Sequence, residues 1–168
     1  MQEELEQLYD QHAQSLFAFL LSFTRNETDT RDLLQEVLLR IAQRPGLLHG
    51  IREPRAFLLR LAHNLAIDHI RRHKTREKHH ATMEAEQPTP FAPSPDPDEA
   101  RFRELIGGAM GNLPGAQRAV VHLKLWEGMT FEQIAGLLEI PPNTAASRYR
   151  YGLDKMRELL RPLYDEIT

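Results

Sequence analysis

The chain has 168 residues, 41% of them hydrophobic and 27% charged, which suits one ordinary domain or two small ones. It contains no cysteine, and this excludes disulfides, thiolate metal sites and cysteine nucleophiles. The net charge of −3 does not by itself predict nucleic-acid binding. The longest apolar stretch is too short to span a bilayer and the N-terminus is acidic, so we expect a cytoplasmic protein without membrane insertion.

The first 75 residues are predicted to be helical throughout. Leucine and phenylalanine recur at spacings of three and four between Leu5 and Phe23, which predicts one amphipathic helix. Residues 26–29 form a turn with good N-cap residues before a second helix, which Pro45 and Gly46 end. After a loop at 47–53, Pro54 suits the first turn of a third helix.

A proline-rich segment separates this block from the next one. Residues 84–98 hold five of the eleven prolines, a density that excludes helix and sheet. We therefore predict an all-α protein with two small helical domains, at 1–75 and 99–168, joined by a flexible acidic linker at 76–98.

The second block carries a helix-turn-helix pattern. Thr130 and Gln133 have capping-box spacing and open a short amphipathic helix. A turn at 139–143 follows, and we expect a long helix from about 144 to 160. The first turns of such a second helix enter the DNA major groove. A helical hairpin with a solvated arginine face would give the same pattern.

Charge is distributed unevenly along the chain. Residues 1–75 carry 10 basic and 10 acidic side chains, residues 76–100 carry 2 and 6, and residues 101–168 carry 9 and 8. DNA binding would therefore depend on local patches, such as the basic run at 70–80. That run fits either a phosphate-tracking role or a solvated helix end.

Neither a metal site nor a catalytic site is predicted. His69 and His73 lie four residues apart, but no carboxylate or cysteine stands beside them in an obvious ligand pattern, and their surroundings are cationic. The chain lacks a phosphate-cradling glycine loop, a nucleophile elbow and a zinc-protease motif. We expect no cofactor and no enzyme activity.

Several motifs together resemble a known family. The runs 32–40 and 54–72 resemble region 2 of sigma-70-type sigma factors, and the runs 113–121, 128–135 and 143–148 resemble region 4. Two such blocks with a short linker are the layout of the extracytoplasmic-function group. The resemblance implies a factor that binds core RNA polymerase and directs promoter-specific transcription initiation.

The resemblance also implies roles for individual residues. Those expected to dock on the clamp helices of the polymerase β′ subunit are Asp32, Gln35, Glu36 and Arg40. Those expected on the −10 helix, which with loop 47–53 would hold a flipped base, are Asn64, Asp68, Arg71 and Arg72. Those expected on the −35 recognition helix are Thr144, Ser147, Arg148 and Arg150.

Further partners follow from the same resemblance. Region 4 would also rest on the polymerase β flap, and an anti-sigma factor would hold the protein inactive. The linker would follow the RNA-exit path, where acidic charge suits a channel built for nucleic acid. An ordinary disordered tether explains its composition equally well.

The chain departs from the family pattern at the helix-turn-helix turn. Glu139 stands where glycine is common, so we expect a strained or differently shaped turn. The recognition helix opens with Pro141 and Pro142 rather than a serine cap, and Ala146 replaces a common basic residue. The −35 preference is therefore left open.

Two other functions remain compatible with the sequence. A stand-alone helix-turn-helix regulator would use the N-terminal block for dimerisation or sensing. An interaction protein without DNA activity would titrate an anti-sigma partner, although Arg71, Arg72, Arg148 and Arg150 argue mildly against it.

Overall fold

The computed structural model describes residues 2–77 and 96–167, which form seven α-helices and one short 3-10 helix without any strand. The chain divides between Pro88 and Thr89 into two compact units, called here the N-terminal and C-terminal domains. The predicted all-α architecture of two helical domains is thereby confirmed. None of the described helices is long and apolar enough to cross a membrane.

Three helices build the N-terminal domain, and each packs on the other two. They are α1 (Gln2–Thr24), α2 (Glu27–Gln43) and α3 (Pro54–Glu77). A 3-10 helix, Pro45–Leu48, follows α2. Pro54 opens α3 as predicted, because a first-turn proline gives up an N–H group that has no partner there in any case.

Apolar stripes from the three helices meet in the core of this domain. Phe19, Val37 and Leu59 are completely buried there. Polar groups hold the predicted turn between α1 and α2. Of its N-cap candidates, Asn26 is the one that caps α2, and its side chain accepts the Asp29 N–H at 3.0 Å. The hydroxyl of buried Thr30 forms a hydrogen bond with the hydroxyl of Thr24, with the two oxygens 2.6 Å apart. This bond fixes the start of α2 against the end of α1.

Four helices build the C-terminal domain. They are α4 (Pro97–Gly111), α5 (Gly115–Leu125), α6 (Phe131–Leu138) and α7 (Pro142–Ile167). The last helix contacts each of the other three, so it is the central element of this domain.

Close packing of α7 on α5 depends on one glycine. Met110, Val121 and Met156 are among the buried residues of the core, and Gly152 faces the same core from α7. A Cβ atom at Gly152 would lie 2.6 Å from Cγ2 of Val121. Because carbon atoms pack at about 3.5–4.0 Å, only glycine lets the two helices approach this closely.

Two ionisable side chains lie in the C-terminal core. The Arg118 guanidinium donates hydrogen bonds of 2.7–2.9 Å to the carbonyl oxygens of Met110, Gly111 and Leu113. It therefore caps the end of α4, where carbonyls lack partners within the helix. The His122 ring is completely buried and stacks on Trp126, with centroids 5.3 Å apart. Burial lowers the pKa of His122 to about 4.

Some predicted boundaries differ from the structure. The last helix begins at Pro142 rather than at 144, because proline is well suited to the first helical position, and it continues past Pro162 to Ile167. Helices α3 and α4 each extend two residues into the range 76–98 that was predicted as linker. The rest of that range, 78–95, lies outside the described residues.

Candidate polymerase and promoter interfaces

The four residues predicted to bind polymerase share one exposed face of α2. Asp32, Gln35, Glu36 and Arg40 are all exposed, whereas the opposite face is buried in the core. Arg40 Nε lies 3.5 Å from the carboxylate of Glu36, and both side chains are about half exposed. The face therefore carries both charges, which favours electrostatic complementarity with a partner over simple phosphate binding.

Sequence reasoning missed an apolar side chain on the same face. Leu39 is 54% exposed although it lies in the apolar run 37–39. At about 100° per residue, it falls between Gln35 and Glu36 on the helix surface. The sequence did carry a signal for this exposure: Val37 and Ile41 already occupy the buried stripe of α2, so Leu39 has to point away from it.

The residues predicted to bind the −10 element also form one stripe. Asn64, Asp68, Arg71 and Arg72 follow i, i+4, i+7 and i+8 spacing along α3, and all are exposed. Such a stripe offers two guanidinium groups for phosphates or guanine, and an amide and a carboxylate for base edges.

Behind this stripe lies His63. It is partly buried against the rings of Phe19 and Phe23. Burial lowers its pKa, and a side-chain hydrogen bond with Asn64 partly opposes that effect. Asn64 is therefore positioned from within the domain while it remains exposed.

The loop predicted to assist base binding begins within the 3-10 helix. His49 and Pro54 border a surface groove of about 350 Å³, whose other wall is the N-terminal part of α1. Gly50 in this loop has a φ angle of 79°, a backbone conformation that favours glycine.

The helix-turn-helix forms as predicted. Thr130 accepts the Gln133 N–H at 3.2 Å, and the Gln133 side chain accepts the Thr130 N–H at 2.9 Å, which completes the capping box. Glu139 has φ 58° and ψ 48°, so the position where the family favours glycine is left-handed here as well. Of the two expected outcomes, a strained turn or a differently shaped one, the structure shows the first, a non-glycine residue in the left-handed region.

The residues predicted to bind the −35 element lie on the first turns of α7. Thr144, Ser147 and Arg148 are half-buried, and Arg150 is exposed. The Arg150 guanidinium lies 5.5 Å from the ring centroid of Tyr151, which is 58% exposed. Ala145 and Tyr149 hold the helix to its domain from the other side.

One premise of the sequence reasoning about metals is wrong. A carboxylate does accompany the histidine pair, because the packing of α2 on α3 brings Asp29 to His69 and His73. No sequence spacing signals this contact, since forty residues separate Asp29 from His69.

Comparison with known proteins identifies both domains. Residues 8–76 match the family model for sigma-70 region 2, and residues 103–156 match that for sigma-70 region 4. The ECF RNA polymerase sigma factor SigL of Mycobacterium tuberculosis is 32% identical over 93% of this chain and 88% of its own length. The RNA polymerase sigma factor CarQ of Myxococcus xanthus is 31% identical over 99% of this chain and 95% of its own length.

Solved structures share the fold. Sigma factor RpoE, in complex with the anti-sigma factor NepR from Bartonella quintana, has a TM-score of 0.76 and 20% identity, covering 95% of this chain and 98% of RpoE. CnrH, in complex with the cytosolic domain of CnrY, has a TM-score of 0.68 and 22% identity, covering 96% and 90% of the two chains. The chain therefore belongs to the extracytoplasmic-function sigma factors, which direct RNA polymerase to promoters.

Proposed function

We propose that this sigma factor docks on core RNA polymerase through the exposed face of α2, reads the −10 element with α3 and reads the −35 element with α7. One observation carries the proposal: the eight candidate residues of the N-terminal domain lie on two exposed stripes. The other faces of the same two helices are buried, so each helix presents a defined polar surface to a partner.

The α2 face suits a helical partner such as the clamp helices of the β′ subunit. Asp32, Glu36 and Arg40 supply charges of both signs around exposed Leu39. An apolar anchor within a polar rim is typical of small, dissociable interfaces. We propose that Leu39 is the anchor and that the charges set the register.

The α3 stripe suits a single DNA strand near the melted region. Arg71 and Arg72 offer positive charge to the backbone, and Asn64 and Asp68 offer hydrogen bonds to base edges. An exposed carboxylate repels phosphates, so we propose that Asp68 accepts from an exocyclic amino group of a base.

The first turns of α7 suit the major groove. We propose that exposed Arg150 contacts guanine or phosphate, while Thr144, Ser147 and Arg148, being half-buried, hold the helix at a fixed depth. With Ala146 in place of a basic residue, we expect fewer phosphate contacts than the family average.

The predicted domain limits remain part of the proposal. We propose that 1–75 binds polymerase and the −10 element, that 99–168 binds the −35 element and the β flap, and that 76–98 connects them along the RNA-exit path. The acidic balance of 76–100 supports such a path, since it suits a basic channel.

Regulation by an anti-sigma factor is proposed from the fold. One of the solved structures described above is of a sigma factor in complex with an anti-sigma factor, and the other, CnrH, is also bound to a partner, the cytosolic domain of CnrY. Both chains share this fold over 95% or more of its length. We propose that a partner of that class covers the same helical surfaces and keeps the protein from polymerase.

Run-off transcription with purified core polymerase tests the proposal. We expect specific transcripts from a pool of genomic promoter fragments only when the protein is added. Asp32→Ala with Arg40→Ala should abolish transcription and polymerase binding, and Arg148→Ala with Arg150→Ala should abolish transcription but leave polymerase binding intact. Arg157→Ala, which removes an α7 side chain that is 78% exposed, is the matched control and should behave as wild type.

Two results would contradict the proposal. DNA binding that survives without any polymerase binding would indicate a stand-alone helix-turn-helix regulator. Polymerase binding without transcripts at any promoter would indicate a protein that titrates an anti-sigma partner.

A further inference from the structure

Three side chains with metal-ligating atoms converge between α2 and α3. Nε2 of His69 lies 3.4 Å from Oδ2 of Asp29, and Nε2 of His73 lies 3.8 Å from the same oxygen. The potential ligand atoms of all three residues lie within 4.8 Å of one another. None of these residues belongs to the stripes assigned above to polymerase or promoter binding.

These distances fit coordination better than hydrogen bonding. A hydrogen bond between nitrogen and oxygen spans about 2.7–3.2 Å, so neither histidine makes a good one to Asp29. Zinc bonds of about 2.0–2.1 Å in tetrahedral geometry place two ligand atoms about 3.3 Å apart. The measured separations of 3.4 and 3.8 Å are close to that value.

The three ligands are held in place by the fold. His69 and His73 are one turn apart on α3, the spacing at which two imidazoles share one helix face and one ion, and their ring centroids are 4.1 Å apart. Asp29 is fixed by its backbone N–H, which donates to the capping side chain of Asn26, and by its buried neighbour Thr30. Little further ordering is needed for an ion to bind.

Burial and charge define the class of ion. The side chains of His69, Asp29 and His73 are 19%, 29% and 41% exposed, so the cluster is sheltered but open to water on one side. Two neutral imidazoles and one carboxylate compensate one of the two charges of a divalent cation. Imidazole ligands favour zinc, copper, nickel and iron over magnesium and calcium.

We propose that Asp29, His69 and His73 form a binding site for a divalent zinc-type metal ion, with water as the fourth ligand. The ion would tie the C-terminal half of α3 to the first turn of α2. It would thereby stabilise the N-terminal domain and fix the helix that carries Arg71 and Arg72. The metal site itself does not depend on the function proposed above.

Zinc titration of the tag-free, full-length protein tests the site. Because the sequence also carries His79 and His80, the titration is made in the background His79→Ala/His80→Ala. Calorimetry should show one zinc ion per chain, and Co²⁺ should give the visible absorption of a tetrahedral complex. The thermal unfolding midpoint should rise with zinc concentration.

Two variants and one control make the test specific. Asp29→Asn and His73→Gln should each weaken zinc binding by more than the about 10–100-fold that loss of an outer-shell partner costs. His49→Gln, an exposed histidine outside the cluster, should bind zinc as the background does. Circular dichroism without zinc shows whether each variant is folded, and the more exposed His73 is the safer change.

The proposal is overturned by either of two outcomes. One is the absence of stoichiometric zinc binding in the folded background protein. The other is equal zinc affinity in the background protein and in folded His73→Gln.

Discussion

The two domains differ in the kind of polar group that they bury. Among the described residues, the fully buried polar side chains of the N-terminal domain are hydroxyls, those of Ser22 and Thr30. The C-terminal domain buries a guanidinium, Arg118, and an imidazole, His122. Hydroxyls remain neutral at every physiological pH, whereas buried ionisable groups make stability depend on pH and on each hydrogen bond.

The domains also differ in how their candidate surfaces relate to their cores. The exposed stripes of α2 and α3 consist of surface side chains, and among them Asn64 makes a hydrogen bond to the partly buried His63. In contrast, α7 carries the half-buried recognition residues and also packs against every other helix of its domain. We therefore expect folding and promoter recognition to be separable in the N-terminal domain and coupled in the C-terminal one.

The largest effect is expected at Arg118. Arg118→Met removes the guanidinium that donates to three carbonyl groups, of which Met110 keeps the Leu113 N–H, and we expect a loss of about 3–5 kcal/mol in the unfolding free energy of the C-terminal domain. Trp126 is the single tryptophan, so urea unfolding followed by its fluorescence reports this domain. The control Arg157→Met, at an exposed ion pair, should change stability by less than about 0.5 kcal/mol. An equal loss in both variants would refute the capping role.

The second largest effect is expected from pH, on which the stability of the C-terminal domain should depend. The pKa of His122 falls from 6.5 when unfolded to about 4 when folded, so the unfolded state binds more protons between these values. The unfolding free energy of the C-terminal domain should therefore be highest above pH 6.5 and should decrease by about 3 kcal/mol as the pH falls toward 4. The same tryptophan signal measures it.

A control variant and the N-terminal domain show whether His122 causes the acid sensitivity of the C-terminal domain. His122→Leu should flatten the profile of the C-terminal domain. The N-terminal domain, whose His63 has its pKa lowered by partial burial but opposed by Asn64, should show a shallower acid response by amide hydrogen exchange. Equal acid sensitivity of the two domains would remove the distinction between them.

The third effect concerns the contact between α7 and α5. Gly152→Ala would place its Cβ 2.6 Å from Val121, and we expect a loss of about 1–3 kcal/mol together with weaker −35 binding. Gly136→Ala meets no atom within 4 Å on the exposed side of α6 and should instead stabilise by about 0.5–1 kcal/mol. Unfolding curves and promoter-binding titrations give both readouts. Normal −35 binding in a destabilised Gly152→Ala protein would uncouple folding from recognition.

The smallest effect is expected at the helix-turn-helix turn. Glu139 has a left-handed backbone, which costs about 1–2 kcal/mol for most residues and which glycine adopts without that cost. Glycine also increases the conformational entropy of the unfolded chain, and this offsets part of the stabilisation. Glu139→Gly should therefore raise the stability of the C-terminal domain by about 0.5–1 kcal/mol. Glu132→Gly, in the helical first turn of α6, should lower it by about the same amount.

Local signals in the sequence predicted most of this architecture. The capping box at Thr130, the N-cap at Asn26 and the first-turn proline of α3 all depend on residues within one helical turn, so each could be recognised in isolation. For the turn at Glu139, where glycine is common in the family, the sequence indicated either strain or a different shape, and the backbone is left-handed.

What escaped prediction depends on packing between distant segments. The exposure of Leu39 was overlooked because the run 37–39 is apolar throughout, although the spacing of 37 and 41 already indicated that 39 lies off the buried stripe. The meeting of Asp29 with His69 and His73 requires the crossing of α2 and α3, and its partners are forty residues apart. The roles of the twelve candidate binding residues stay predictions.

If α3 reads the −10 element as proposed, the length of its exposed stripe limits how much of one DNA strand this helix can contact. From Asn64 to Arg72 the helix rises eight residues, or about 12 Å at 1.5 Å per residue. Stacked bases in one strand are spaced about 3.4 Å apart, so the stripe can span about four nucleotides. Under the proposed roles, in which Asn64 and Asp68 read bases and Arg71 and Arg72 contact the backbone, we expect this helix to specify no more than about four bases of the −10 motif. A longer conserved element would have to be read by other parts of the chain.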